Sequence, residues 1–75
     1  MAGEVLPSAH KWGYTDDDIE HALRFAIVAH EMDGYVLVVG PTPAGELIEV
    51  GVNRRAQRFH AMRARPKYLP SKTKW

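Results

Sequence analysis

The sequence predicts an α+β fold in which one N-terminal helix packs on a four-stranded, mainly antiparallel sheet. Three patterns support this prediction: a capped helix sequence after Thr15, an Asp33-Gly34 pair between two strand-like segments, and apolar/polar alternation in two later segments. Consecutive strands joined by short turns pair most simply as an antiparallel meander. A chain of 75 residues is long enough for one domain only, and we expect its ends, residues 1–9 and 70–75, to be flexible.

The helix is predicted at about residues 16–25. Thr15 is a favourable N-cap, Asp18 completes a capping box with it, and Ile19 and Leu23 follow at helical spacing. The run of three aspartates after Thr15 suits the positive end of the helix dipole. Because consecutive helical residues point in different directions, capping explains these acids better than a metal site does.

Four segments are predicted to be strands, at residues 26–31, 35–40, 46–52 and 57–63. The Asp33-Gly34 pair suits the tight turn of a hairpin between the first two. The prolines and glycines of residues 40–45 predict a loop between the second and third. One short helix covers only one face of such a sheet, so we expect the other face to meet solvent or a partner.

Alternation along the last two strands assigns their side chains to faces. Ile48, Val50 and Val52 are predicted to face the core, and Leu47, Glu49 and Gly51 the opposite side. In the fourth strand, Phe59 and Ala61 are predicted to share one face, and Arg58, His60 and Met62 the other.

The net charge of +1 conceals a strong asymmetry. Residues 1–53 contain nine acids and two cations, a net charge of −7, whereas residues 54–75 contain eight cations and no acid, a net charge of +8. A local basic block is a candidate surface for phosphates or for an acidic partner. On charge alone, a merely solvated end of the molecule explains the block equally well.

Several classes of chemistry have no support in the sequence. The absence of cysteine excludes disulfides and thiolate metal sites, and the four histidines lack paired ligand spacing. No glycine-rich phosphate loop or nucleophile elbow is present. We therefore expect no metal and no cofactor. Since no apolar run approaches the roughly 18 residues that span a bilayer, we expect a cytoplasmic protein without membrane contact.

Candidate catalytic residues lie on the face that the helix leaves open. Glu49, Arg58 and His60 are predicted to be cross-strand neighbours there, so an acid, a cation and a titratable base come together. Metal-independent RNA cleavage needs a base for the 2′-hydroxyl, an acid for the leaving oxygen and cations for the phosphorane charge. Ordinary cross-strand charge pairs are the competing interpretation.

A basic segment follows the fourth strand. Arg63 and Arg65 alternate, so in an extended chain both point the same way and offer forked donors to adjacent phosphates, and Tyr68 could stack on a base. Arg63 joins the candidate catalytic residues. The candidate RNA-binding residues are Lys11, Arg54, Arg55, Arg65, Lys67 and Tyr68. The same spacing suits an acidic helix of a partner protein.

Three stretches of the chain together resemble a family of small bacterial toxins. They are Trp12 to Ala22, Gly40 to Val52 and His60 to Leu69. These stretches are similar to the BrnT branch of the RelE-like toxins of type II toxin-antitoxin modules. The resemblance implies an mRNA-cleaving ribonuclease that acts without metal and is neutralised by a cognate antitoxin with a ribbon-helix-helix DNA-binding domain. Lys11, Arg63 and Arg65 match the family pattern.

The leading hypothesis is therefore a toxin-type RNA endonuclease, as a homodimer or hetero-oligomer with its antitoxin. His60 acts as acid or base, Glu49 as base or orienter, and Arg58, Arg63 and Arg65 contact phosphate. The alternative is a non-catalytic interaction module that docks an acidic partner or nucleic acid through its C-terminal basic segment. A plain RNA or DNA binder is a third possibility, with steeply salt-dependent affinity.

Overall fold

A computed structural model describes residues 3–70 and confirms the α+β fold. The elements are one helix and four strands: α1 (Asp16–Arg24), β1 (Val28–Glu31), β2 (Tyr35–Pro41), β3 (Leu47–Asn53) and β4 (Arg58–Arg63). Short 3₁₀ helices precede and follow them, at Pro7–His10 and Pro66–Tyr68. The predicted flexibility of residues 1, 2 and 71–75 lies outside the described residues.

Helix α1 begins where the capping sequence predicts. The Asp18 amide donates to Thr15 Oγ1 over 3.1 Å, and the Thr15 amide donates to Asp18 Oδ2 over 3.0 Å. This reciprocal capping box satisfies two backbone donors that a helix start leaves without partners. Ile19 and Ala22 are fully buried on the inner side of the helix, so the cap fixes the position at which its apolar face meets the sheet.

The sheet is an antiparallel meander with strand order β1-β2-β3-β4. The Met32 amide donates to the Tyr35 carbonyl over 2.8 Å, which closes the two-residue turn at Asp33-Gly34. Gly34 has a φ of +90°, a conformation that glycine adopts without strain. The predicted hairpin is therefore confirmed.

The main core lies between α1 and the sheet. Its fully buried members are Ala9, Ile19, Ala22, Ile48, Val50 and Ala61. Gly40 permits the helix to pack closely, because a Cβ atom on Gly40 would lie 2.0 Å from the Ala22 carbonyl oxygen. The predicted inward orientation of Ile48 and Val50 is confirmed, with Val52 partly buried against the same core.

The segment before α1, which we expected to be flexible, packs against β4. Val5 forms a parallel bridge with Arg58, and the Leu6 amide donates to the Arg58 carbonyl over 2.8 Å. Ala9 is fully buried in the main core. The expected flexibility is wrong for residues 4–9, because backbone hydrogen bonds hold this segment on the outer edge of β4 and Ala9 is buried in the cluster that contains Ala61.

The second face of the sheet is covered in part by the chain itself, whereas we expected it to be open. Leu37, Val39 and Glu49 share this face by register and are all at most 2% exposed. After β4, the chain folds back toward this face instead of leaving the sheet. Arg65 bonds to Glu49, and the Tyr68 carbonyl lies 2.7 Å from His30 Nε2. We name residues 64–70 the return segment.

A β-bulge in β4 changes the predicted faces. Gly51 pairs with His60 and Val52 with Arg58, so Phe59 is the extra residue between the two pairs. As a result, Arg58 shares the helix side of the sheet with Val52. The predicted grouping of Arg58 with His60 is therefore wrong, because simple alternation does not hold across a bulge.

No helix within residues 3–70 is both long and apolar enough to cross a membrane.

The capping box gives a direct test of the fold. Replacing Thr15 with Ala should lower the free energy of unfolding by about 1 kcal/mol, because the Asp18 amide loses its acceptor. Urea denaturation followed by circular dichroism measures the change. Thr15→Ser is the matched control, since it keeps the hydroxyl and its free energy of unfolding should fall much less. Equal stability of Thr15→Ala and the parent would contradict the cap.

Candidate active site

The buried Glu49 carboxylate is the centre of the candidate site. Glu49 is 0% exposed and lies in the middle of β3, on the face opposite α1. Its Oε1 accepts from the Arg65 backbone amide over 3.0 Å and from Arg65 Nε over 3.2 Å. Its Oε2 accepts from Arg65 Nη2 over 2.6 Å and bonds His60 Nε2 over 2.9 Å. A carboxylate with four partners can remain charged in a buried position.

These contacts decide the ionisation of Glu49. Burial by itself raises the pKa of the Glu49 carboxyl, but the hydrogen bonds from the Arg65 side chain, the Arg65 amide and His60 outweigh burial and leave the pKa below its ordinary value of 4.5. Glu49 is therefore an anion near neutral pH. A carboxylate whose pKa is lowered and whose two oxygens are both occupied by hydrogen bonds is a poor general base, and its geometry suits orientation of His60 instead.

His60 has one ring nitrogen fixed and one available. Because the ionised Glu49 can only accept, His60 Nε2 carries a proton, and the neutral ring keeps its lone pair on Nδ1. The His60 side chain is 28% exposed, and Nδ1 has no hydrogen-bond partner among residues 3–70. This is the arrangement in which a carboxylate fixes the tautomer of a histidine base.

Arg65 joins the site to the basic segment. Its side chain is 44% exposed, and its Cζ atom lies 5.1 Å from the centroid of the Tyr68 ring. The hydrogen bond to Glu49 raises the pKa of Arg65 above its ordinary value. Lys67 Nζ also lies 5.1 Å from the Tyr68 ring centroid. The Arg65 guanidinium therefore connects the buried Glu49 anion to the half-buried Tyr68 ring, which exposed Lys67 also contacts.

Arg58 is not part of this site. It is 8% exposed and forms a bidentate ion pair with Glu20 of α1, through Nε over 2.9 Å and Nη2 over 3.1 Å. Arg58 Nη1 donates to the Ala56 carbonyl. The bulge at Phe59 directs Arg58 to the helix side, so Arg58 fastens α1 and the N-terminal segment to β4 and is not available to a phosphate beside His60.

The other predicted cations are dispersed. Arg63 pairs with Ile48 in the sheet register and so lies on the helix side, whereas Arg65 reaches Glu49 on the opposite side. The expectation that Arg63 and Arg65 point the same way is therefore wrong, because the chain turns back after β4. Arg54 and Arg55 are exposed in the turn between β3 and β4, and Lys11 is exposed beside Trp12.

The structure thus brings together Glu49, His60, Arg65 and Tyr68, with Lys67 next to them. It also adds two rings that the sequence analysis missed. Tyr35 faces the same side as Leu37 and Gly51 by register, and Phe59 turns to that side through the bulge. Alternation along β2 could have placed Tyr35 on this face. Nothing in the sequence could have placed Phe59 there, because its orientation depends on the bulge.

Residues 3–70 contain no group of three or more His, Asp or Glu side chains that could hold a metal ion. The chain matches no protein-family model, no curated protein and no solved structure.

The charge of Glu49 predicts a pH-dependent contribution to stability. Glu49→Gln should lower the free energy of unfolding by about 2 kcal/mol at pH 7, because charge-assisted hydrogen bonds become neutral ones. Folding lowers the pKa of Glu49. The contribution of the Glu49 charge to the free energy of unfolding is therefore complete above the pKa of the unfolded state, and it disappears as pH falls through the pKa of the folded state. The difference between parent and variant should therefore shrink below about pH 4.5.

Urea titrations from pH 7 to pH 2.5 test this expectation. Glu31→Gln is the matched control, since Glu31 is exposed on the edge strand β1 and forms no ion pair among the described residues. It should change stability by less than about 0.5 kcal/mol. A parent-to-variant difference at Glu49 that does not vary with pH would show that folding leaves the pKa of this carboxyl unchanged, contrary to the expected lowering.

Proposed function

We propose that this protein is a metal-independent endoribonuclease, the toxin component of a type II toxin-antitoxin module. The observation that carries the proposal is the 2.9 Å contact between His60 Nε2 and the buried Glu49 carboxylate, with Arg65 alongside and no partner for Nδ1 within residues 3–70. An oriented histidine next to an exposed guanidinium supplies a base and a cation for phosphodiester cleavage. The resemblance to BrnT-like toxins supports mRNA as the substrate, a cytoplasmic location and a ribbon-helix-helix antitoxin as partner.

The chemistry assigns one role to each residue. His60 Nδ1 accepts the proton of the 2′-hydroxyl, and the resulting 2′-oxygen attacks the adjacent phosphorus. The bond from phosphorus to the 5′-oxygen breaks, and solvent protonates the leaving oxygen. Glu49 keeps its charge, fixes the tautomer of His60 and stabilises the imidazolium as it forms. Arg65 stabilises the negative charge that develops on the phosphorane.

The exposed cations next to this site provide a path for the RNA backbone. Lys67 lies beside Arg65, and Tyr68 offers a ring to a base. Arg54 and Arg55 extend the positive charge to the β3–β4 turn. In this proposal Arg63 and Lys11 contact flanking phosphates or the antitoxin and not the scissile phosphate, because Arg63 lies on the other side of the sheet.

A second candidate function is a non-catalytic module that docks an acidic protein segment or nucleic acid. One observation favours it: three of the four hydrogen bonds to Glu49 come from Arg65. Glu49 thereby anchors the return segment, and this structural role explains the cluster without catalysis. In this case the cations of the return segment bind a partner, and His60 is not needed.

Substitution of His60 separates the two functions. His60→Gln should reduce cleavage of a single-stranded RNA by about 100-fold or more, because the base is lost. Purified protein, a labelled RNA oligonucleotide and EDTA in the buffer suffice for the measurement. His21→Gln is the matched control: His21 is on α1, where its Nδ1 lies 2.7 Å from the Pro41 carbonyl oxygen, and its loss should leave cleavage unchanged.

Induced expression in a bacterium gives the corresponding test in cells. The parent and His21→Gln should arrest growth, and His60→Gln should not. Equal cleavage by parent and His60→Gln would contradict the catalytic role of His60. Harmless expression together with saturable binding of RNA or an acidic protein and no cleavage would establish the interaction module instead.

A further inference from the structure

Two aromatic rings lie on the same face of the sheet as His60, and the proposed reaction does not use them. Tyr35 pairs with Asn53 at the start of β2, and Leu37, two residues on, pairs with Gly51, which in turn pairs with His60. Register therefore places Tyr35 close to the strand position of His60. Both Tyr35 and Phe59 are partly exposed.

The bulge and a glycine together place the Phe59 ring. Gly51 has no side chain, and a Cβ atom there would lie 2.7 Å from Phe59 Cζ. The ring therefore lies across the Gly51 backbone. Tyr35 meets it edge to face, with centroids 5.2 Å apart and planes at 87°, and the His60 ring lies 6.3 Å from that of Phe59. The three rings form a continuous aromatic surface, which we name the Tyr35 platform.

Cations stand near this platform. Arg65 bonds Glu49 on this same face, and Arg54 is exposed in the β3–β4 turn. A cavity of about 150 Å³ opens beside Tyr35 at this end of the sheet. Arg54 lines it, and so do Glu31, Val36 and Val52, which register places on the helix side. A partly exposed aromatic ring near exposed cations is a combination with which proteins bind a base and its neighbouring phosphates.

We propose that the Tyr35 platform is a subsite for one unpaired nucleobase of the RNA, next to the phosphate on which His60 acts. The base stacks on Tyr35, with Phe59 holding the Tyr35 ring in place. The inference rests on the proposed function and deepens it, since it restricts the substrate to single-stranded RNA. In a duplex, pairing and stacking would keep the base from the platform.

Binding measurements with an uncleavable RNA test the platform. The probe is a fluorescent single-stranded oligonucleotide with 2′-O-methyl riboses, and anisotropy reports its affinity. Tyr35→Leu should weaken binding about 10-fold, because stacking on one ring is lost. Tyr35→Phe keeps the ring and should bind like the parent. Phe25→Leu is the matched control, since Phe25 is 52% exposed at the end of α1 and should have no effect.

An abasic probe separates stacking from a structural role of Tyr35. The parent should bind a probe with abasic sites about 10-fold more weakly than the intact probe, whereas Tyr35→Leu should bind the two equally. If Tyr35→Leu does not fold, as judged by circular dichroism, Phe59→Leu replaces it and should show a reduced preference for the intact probe.

The outcomes distinguish the platform from the proposed function. Cleavage and affinity unchanged in Tyr35→Leu would overturn the platform and leave the ribonuclease standing. Base-dependent binding through Tyr35 without any cleavage would overturn the ribonuclease and leave the platform standing. A parent that binds intact and abasic probes equally would also overturn the platform.

Discussion

The buried Glu49 carboxylate constrains most of what this fold can do. A fully buried anion is tolerated only when its hydrogen-bonding capacity is filled by cationic or strongly polar donors. Here the donors are Arg65 and His60. Arg65 must therefore return to the sheet, and the chain after β4 cannot leave it. The path of the return segment, the covering of the second face and the orientation of His60 all follow from this one charge.

The bulge at Phe59 sorts the basic residues into two sets with different roles. With regular alternation, Arg58 and His60 would share a face; the bulge sends Arg58 to Glu20 and leaves His60 with Glu49. Arg58 thereby fastens α1 to β4, and Arg65 fastens the return segment to β3. Both are held by bidentate carboxylate geometry, which an arginine satisfies better than a lysine. The same bulge brings Phe59 over Gly51, so one extra residue creates both the ion pair and the aromatic surface.

Sequence reasoning succeeded where the signals are local. Thr15 with Asp18, and the Asp33-Gly34 turn, specify their elements within a few residues, and the strands were located to within about two residues at each end. The side-chain contact between Glu49 and His60 was predicted from the alternation of side chains along the two strands alone. Sequence reasoning failed where the structure depends on distant contacts. The return segment is held by partners that lie 16 and 38 residues away along the chain, and no periodicity in the sequence encodes such contacts. Nor did Arg58-Phe59-His60 indicate a bulge, because its residue types alternate like those of a regular strand.

The charge asymmetry of the chain acquires a structural meaning from these contacts. The acidic part, residues 1–53, and the basic part, residues 54–75, are joined by the pairs Glu20–Arg58 and Glu49–Arg65. Each pair connects elements far apart in sequence, so opposite charge helps to select the topology. Arg54, Arg55, Arg63 and Lys67 are exposed and take part in no ion pair among residues 3–70. Those cations contribute little to the fold, so their side chains remain available for the RNA contacts that we propose.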